Sequence, residues 1–304
     1  MEIKQNSFQA WMLAARPKTL TGAIIPVLVG VSLAYSQGEF HLVPALLCLL
    51  FACGMQISAN FINDLFDYLK GSDRSDRLGP QRACAEGWIT PRAMKMGIGI
   101  ALTASCLMGL GMLYMAWHQS PYQGLELIAT GALCVLFAFL YTTCLSYLGL
   151  GDLLVLLFFG FVPVCGSFYV QTYTLTSDVM VASIICGLLI NTLLVINNYR
   201  DREQDAISKK HTLIVRFGTT FGVYFYLALG IASALLCLWF AQGGNLCAIL
   251  LPIPYIVLHI RTWKKMVSIG SGVRLNSILG ETSRNMLLLG VSLCAIILIG
   301  KYLY

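Results

Sequence analysis

Long apolar runs, broken at intervals by short polar segments, dominate the hydropathy pattern of this chain. They predict about nine membrane-spanning helices, near residues 20–36, 42–63, 94–116, 125–143, 151–170, 179–197, 219–240, 246–260 and 286–303. A helix needs about 20 apolar residues to cross a bilayer, and the runs reach or approach that length. They are unbroken, whereas barrel strands alternate, so the expected fold is an all-α membrane bundle. The bundle is expected to form one domain over 1–304. The first run does not read as a cleaved signal, because Arg16 and Lys18 lie deep in the chain ahead of it and further spans follow.

The polar breaks carry a pattern of their own. Asn60, Asp64 and Asp67 are spaced i, i+4, i+7, so a helix puts them on one face. Gly71 predicts the stop of that helix, and Thr90-Pro91 predicts the start of the next, with Thr as N-cap and Pro in the first turn. Asn197, Asp201 and Asp205 form a second stripe at i, i+4, i+8. Asn60-x-x-x-Asp64 and Asn197-x-x-x-Asp201 repeat one pattern at a separation of 137 residues, which suggests one half-bundle echoing another.

Composition strengthens the membrane reading. The chain of 304 residues is 58% hydrophobic and 11% charged, with a mean hydropathy of +0.76; a soluble domain carries about 25% charge. Charge also orients the bundle. With the N-terminus in the cytoplasm, the inside segments are 1–19, 64–93, 144–150, 198–218 and 261–285, and every Lys and Arg except Lys301 falls in or beside them. The net charge of +6 is thus a basic cytoplasmic face suited to anionic lipid and anionic substrates, not a nucleic-acid signal. The 11 cysteines include no CxxC pair and lie mostly inside apolar runs, where they read as small packing residues.

Two stripes of carboxylates and amides, with Lys and Arg close by, point to a ligand between them. Facing carboxylates repel, and a divalent cation removes that repulsion. Mg²⁺ suits hard oxygen donors and prefers to share them with phosphate and water. A diphosphate held by Mg²⁺ and by basic side chains satisfies both signs of charge, and an apolar tail would then lie between the helices. The bland alternative is an interfacial collar of helix-end charges. Matched spacing in two clusters, and the cost of acids near a span, favour the site.

At these residues the chain resembles the UbiA superfamily of membrane prenyltransferases, and within it the naphthoate-prenylating branch of the menaquinone pathway. The likeness runs through "ARPKTLTGAIIPVLVG", "NDLFDYLKGSDRSDRLGP", "YLGLGDLLVLLFFGFVPVCGSFYV", "INNYRDREQDAISKKHTLIVRFG" and "LNSILGETSRN". It implies a nine-helix bundle around a central cavity, capped by cytoplasmic loops, in the cell inner membrane. It implies that Asp64, Asp67, Asp201 and Asp205 hold Mg²⁺ on a polyprenyl diphosphate, assisted by Asn60, Asn63 and Asn197. Lys210 would grip phosphate, Arg74, Arg77 and Arg82 match basic positions after the first motif, and Tyr141 matches a tyrosine near the reacting centre. The aromatic partner implied is 1,4-dihydroxy-2-naphthoate, attacked at its carboxylate-bearing carbon with loss of CO₂. Gly71 stands where the family often has a further acid, and Lys209 stands where it usually has a glycine. "TTCLSY" lacks the Gly-Pro and basic residue often found there, so the aromatic-acid pocket is not carried over. Other acceptors, 4-hydroxybenzoate or homogentisate, are the alternative within the family. An ion-coupled transporter is the alternative outside it, disfavoured because both acidic clusters sit at helix ends.

Overall fold

The computed structural model describes residues 3–71 and 77–302. In order these form α1 (Phe8–Ala15), a 3₁₀ turn (Pro17–Thr19), α2 (Thr21–Ser36), α3 (Leu42–Leu69), α4 (Pro91–Ala116) and α5 (Leu125–Leu140) with a π-helical extension (Tyr141–Leu145). Next come α6 (Gly151–Val155), a π-helical turn (Leu156–Phe161), α7 (Val162–Thr172), α8 (Ser177–Ile207), α9 (Leu213–Leu236), a 3₁₀ segment (Cys237–Gly244), α10 (Cys247–Leu250), α11 (Pro252–Ile269) and α12 (Leu275–Gly300). No strand occurs among the described residues.

Among the described residues, 7 helices are long and apolar enough to cross a membrane, and an eighth is added if Phe8–Thr19 and Thr21–Ser36, bent by 49°, count as one span. Two of the nine expected runs account for the difference. The run at 20–36 is short and broken from α1 at Arg16, whose φ of 52° is left-handed. The run at 246–260 becomes α10 and α11, and α11 brings in Arg261, Lys264 and Lys265 before it ends. The last helix also starts earlier than its apolar run, at Leu275 instead of near residue 286.

Helix length places the acidic stripes. α3 has 28 residues and α8 has 31, or about 42 and 46 Å at 1.5 Å per residue. The hydrocarbon layer is about 30 Å thick. The surplus carries the last turns of both helices, with Asp67 on one and Asp201 and Asp205 on the other, beyond the apolar layer. α3 ends as its glycine requires: Gly71 takes φ 67° and its N–H bonds the Tyr68 carbonyl at 3.0 Å. Thr90 caps α4 through its hydroxyl, which accepts from Ala93 N at 3.3 Å, with Pro91 in the first turn. α3 packs along α4, and α8 along α9, so each acidic stripe closes the first helix of a long hairpin. This agrees with the repeat read in the sequence.

α8 is the most enclosed of the spans, and α3, α4 and α5 the most open. The main core joins α2, α7, α8 and α12 through Ile25, Val29, Phe168, Ile185, Leu189 and Leu289. The Leu156–Phe161 turn approaches α8 backbone to backbone: a Cβ on Gly160 would lie 2.9 Å from Gly187 Cα. Leu46, Leu50, Ile100, Leu107 and Leu136 stay exposed on α3, α4 and α5, as lipid-facing side chains do. A second core, with Tyr226, Met266 and Ile278, binds α9, α11 and α12.

Candidate functional site

The first stripe does three different jobs. Asn60 is buried, and its amide donates to the Ala15 carbonyl at 2.9 Å and Thr19 Oγ1 at 3.0 Å. It therefore pins the broken Arg16–Thr19 segment to α3 and fixes where Arg16 sits. Asp64 is 1% exposed, and its two oxygens accept from Ala83 N at 2.9 Å and Cys84 N at 2.8 Å. Asp67, one turn further out, is half-buried and pairs with Arg82 at 3.0 Å. Asn63 accepts from the Thr142 hydroxyl, which ties α3 to the π-helical end of α5. Lys70 completes that tie through the carbonyls of Thr142 and Thr143, at 3.2 and 2.9 Å, with its ammonium 4.4 Å from the centre of the Tyr147 ring.

Asp64, expected on a metal, also has a structural task. Each of its oxygens accepts one backbone N–H of the loop that returns from α3 to α4 and keeps a second lone pair for a cation. Asp64→Ala should leave those two buried donors without an acceptor, at about 1–3 kcal/mol each. The loop should open, and native-state alkylation of Cys84, located by peptide mass mapping, should speed up at least about tenfold. Unchanged labelling would show that the loop is held by something else.

The second stripe ends α8. Arg200, almost fully buried, grips Asp201 with two bonds of 2.6 Å. Its remaining nitrogen donates to Asn276 Oδ1 at 2.8 Å, and Asn276 in turn donates to the Leu78 carbonyl at 2.8 Å. The segment after the first motif, the end of α8 and the start of α12 thus share one joint. Asn197 donates to the Leu193 carbonyl at 3.1 Å, within its own helix. Asp205 is buried, meets Lys210 at 3.6 Å, and among the described residues leaves Oδ2 with no hydrogen-bond partner. Glu203 is largely exposed beside Arg202, as a solvated charge should be.

Lys210 is where the two stripes meet. Burial opposes its charge, yet Asp205, Tyr141, Asp67 and Asp201 together outweigh that and raise its pKa above the ordinary lysine value. The charges that reach Asp67 come from Lys210, Arg77, Arg16 and Lys70. Arg77 lies beside Arg200 across Gly79 and donates to the Pro80 carbonyl at 3.3 Å. Tyr141 faces Lys210, Asp152, Asp205 and Asp67. The structure therefore gathers Asp67, Asp201, Asp205, Lys210, Tyr141, Arg77 and Arg82 into one constellation. Asn60, Asn63 and Asn197 brace its walls. Arg74, like Asp73 and Asp76, lies outside the described residues.

The donor set fits a shared divalent cation and not a closed cage. Among the described residues, no three Asp, Glu, His or Cys groups lie close enough to enclose a metal. However, among the described residues Asp205 keeps a buried oxygen without a hydrogen-bond partner, and Asp67 and Asp201 answer to the same lysine. Mg²⁺ binds in this fashion, through one or two carboxylates completed by water and phosphate.

Comparison with known proteins adds the lineage. Residues 23–271 match the UbiA prenyltransferase family. The chain belongs to that family. Its UbiA relatives include a protein of Escherichia coli K12 named 1,4-dihydroxy-2-naphthoate octaprenyltransferase, 39% identical over 76% of this chain and 75% of that protein. A protein of the same name from Mycobacterium leprae is 32% identical over 98% of this chain and 99% of its own length. Two solved UbiA homologues share the fold. The apo structure from Aeropyrum pernix K1 has a TM-score of 0.68 at 16% identity, covering 93% of this chain and 98% of its own. The Archaeoglobus fulgidus structure bound to GPP and Mg²⁺ has a TM-score of 0.65 at 15% identity, covering 95% and 99%.

One UbiA departure now has a structural reading. Lys209 stands where the family usually has glycine, and its φ of 55° is left-handed, the conformation a glycine adopts without cost. The backbone turn is kept although the residue differs, and Lys210 N still reaches the Asp205 carbonyl at 2.8 Å. Four residues of the UbiA site were given no site role by the sequence: Arg16, Lys70, Arg200 and Asn276. All four lie within stretches that carry the resemblance, as basic or amide positions. Only tertiary contacts assign their partners.

Proposed function

We propose that this UbiA prenyltransferase transfers a polyprenyl group from polyprenyl diphosphate to 1,4-dihydroxy-2-naphthoate, with loss of diphosphate and CO₂. The product is demethylmenaquinone in its quinol form. The observation that carries this reading is the contact of Lys210 with Asp205 of α8 at 3.6 Å, within reach of the charges of Asp67 from α3 and Asp201 from α8. The relatives named for this naphthoate reaction, one of them matched almost end to end, support the acceptor over 4-hydroxybenzoate or homogentisate. The acidic groups at helix ends, in a family of transferases, leave the transporter reading without support.

In this proposal Lys210, Arg77 and Arg82 take the diphosphate oxygens. Asp64, Asp67, Asp201 and Asp205 hold Mg²⁺, which when bound neutralises the diphosphate and makes it a better leaving group. Asp64 holds the overlying loop closed and so keeps water from the allylic carbon as positive charge develops there. The Tyr141 ring offers that charge an aromatic face. The prenyl tail lies between the spans and meets lipid. The site faces the cytoplasm across the inner membrane, in keeping with the basic polar segments on that side.

Purified protein should convert 1,4-dihydroxy-2-naphthoate and a polyprenyl diphosphate to demethylmenaquinol and CO₂ only when Mg²⁺ is present, as followed by mass spectrometry. Turnover of 4-hydroxybenzoate in preference to the naphthoate would reject the acceptor. Equal rates with and without chelator would reject the metal.

A further inference from the structure

One buried acid has no part in the diphosphate site. Asp152 opens α6 and is only 9% exposed, yet among the described residues its Oδ1 has no hydrogen-bond partner. Among the described residues it makes no ion pair. The neighbour that binds its backbone is open in the same way: Asn191 on α8 donates its amide to the Asp152 carbonyl at 2.8 Å, while Asn191 Oδ1 is buried and has no hydrogen-bond partner among the described residues. Two acceptors in search of donors thus sit side by side on facing elements. A buried carboxylate with one oxygen left open is expensive, and such groups are rare unless a ligand completes them.

Their position relative to the diphosphate site is defined. Asp152 is one of the charges that reach Tyr141, together with Lys210, Asp205 and Asp67. A Cβ on Gly151 would lie 3.9 Å from the Tyr141 hydroxyl and 3.4 Å from Leu194. Tyr141 therefore stands between the phosphate-binding cluster and Asp152. On α8, Asn191 precedes Asp201 by about 15 Å of helix, a span that accommodates a diphosphate and an aromatic ring end to end. Both neighbouring segments, Tyr141–Leu145 and Leu156–Phe161, are π-helical, a distortion that shifts side chains off the regular register and recurs at functional sites.

We infer that Asp152 and Asn191 are the acceptor-binding pair, and that Asp152 takes the proton of the ring hydroxyl beside the carboxylate. This rests on the proposed naphthoate transfer. An open carboxylate oxygen and an open amide oxygen complement a ring that carries O–H donors. With the C1 hydroxyl proton on Asp152, electron density moves to C2. C2 forms its bond to the allylic carbon as the bond from that carbon to diphosphate oxygen breaks. The resulting β-keto acid loses CO₂, its electron pair returns to the C1 oxygen, and Asp152 gives the proton back to yield the quinol. No oxidant or external base enters the balance.

The test uses purified full-length protein, wild type and Asp152→Asn, with 1,4-dihydroxy-2-naphthoate and its analogue 4-hydroxy-2-naphthoate, which lacks the C1 hydroxyl. Wild-type turnover comes first: no product from the naphthoate would overturn the functional reading and this inference with it. Given turnover, Asp152→Asn should lower kcat about 100-fold, while KM for polyprenyl diphosphate and Mg²⁺-dependent binding of inorganic diphosphate stay within about twofold, which also shows the variant is folded. Wild type should bind the naphthoate at least about tenfold tighter than the analogue, and Asp152→Asn should bind both alike. A kcat within twofold of wild type, or a variant that keeps the tenfold preference, would overturn the assignment. Should the variant not fold, equal wild-type affinities for the two acceptors would overturn it alone.

Discussion

Asp205→Asn should abolish prenyl transfer, lowering kcat on the order of 1000-fold, while the protein still inserts and purifies as a single species. The substitution keeps the shape of the side chain and removes only its charge. That charge matters twice. Asp205 holds Lys210 at 3.6 Å, and its second oxygen is the one buried carboxylate oxygen at this mouth left without a hydrogen-bond partner among the described residues. An amide in its place cannot hold a hard cation comparably. The apparent Mg²⁺ requirement should therefore rise as kcat falls. Near-normal turnover at ordinary Mg²⁺ would remove α8 from the metal site.

Lys210→Ala should act on the donor substrate. Charge-assisted bonds to phosphate are worth about 1.5–3 kcal/mol each, so KM for polyprenyl diphosphate should rise about 10- to 100-fold. KM for the naphthoate should move less than about twofold. Lys210→Arg should recover part of the loss, because it keeps the charge but not the compact ammonium. There is a further consequence without substrate. Asp205, Asp67 and Asp201 all bear on this one cation, so the empty alanine variant should bind Mg²⁺ at lower concentration than wild type does in the absence of diphosphate. An unchanged KM for the donor would leave Lys210 as a structural counter-ion only.

The helical periodicity made the long hairpins and their acidic ends legible. Apolar runs of span length demand helices in lipid, and an i, i+4 spacing demands a shared face whatever lies around it. The fates of the individual acids were not legible, because each depends on a chain segment far away. Asp64 reads as the twin of Asp67 until the loop returns and presents Ala83 N and Cys84 N to it. Asn60 reads as a ligand until the Arg16 break brings Ala15 and Thr19 within reach. Asp152 is a single acid entering an apolar run, with no spacing partner to mark it, and only the crossing of α6 with α8 sets it beside Asn191. The run at 246–260 falls short of a continuous apolar span for a local reason: α11 continues past its apolar half into Arg261, Lys264 and Lys265.

The Arg200 joint bears on how this site is held together. One guanidinium holds Asp201, and through Asn276 the Leu78 carbonyl. The segment after α3, the tip of α8 and the first residue pairs of α12 cannot part independently while that joint is made. Three segments distant in sequence are thereby tensioned against one another by a single buried cation, so a change at any one of them is felt at the other two.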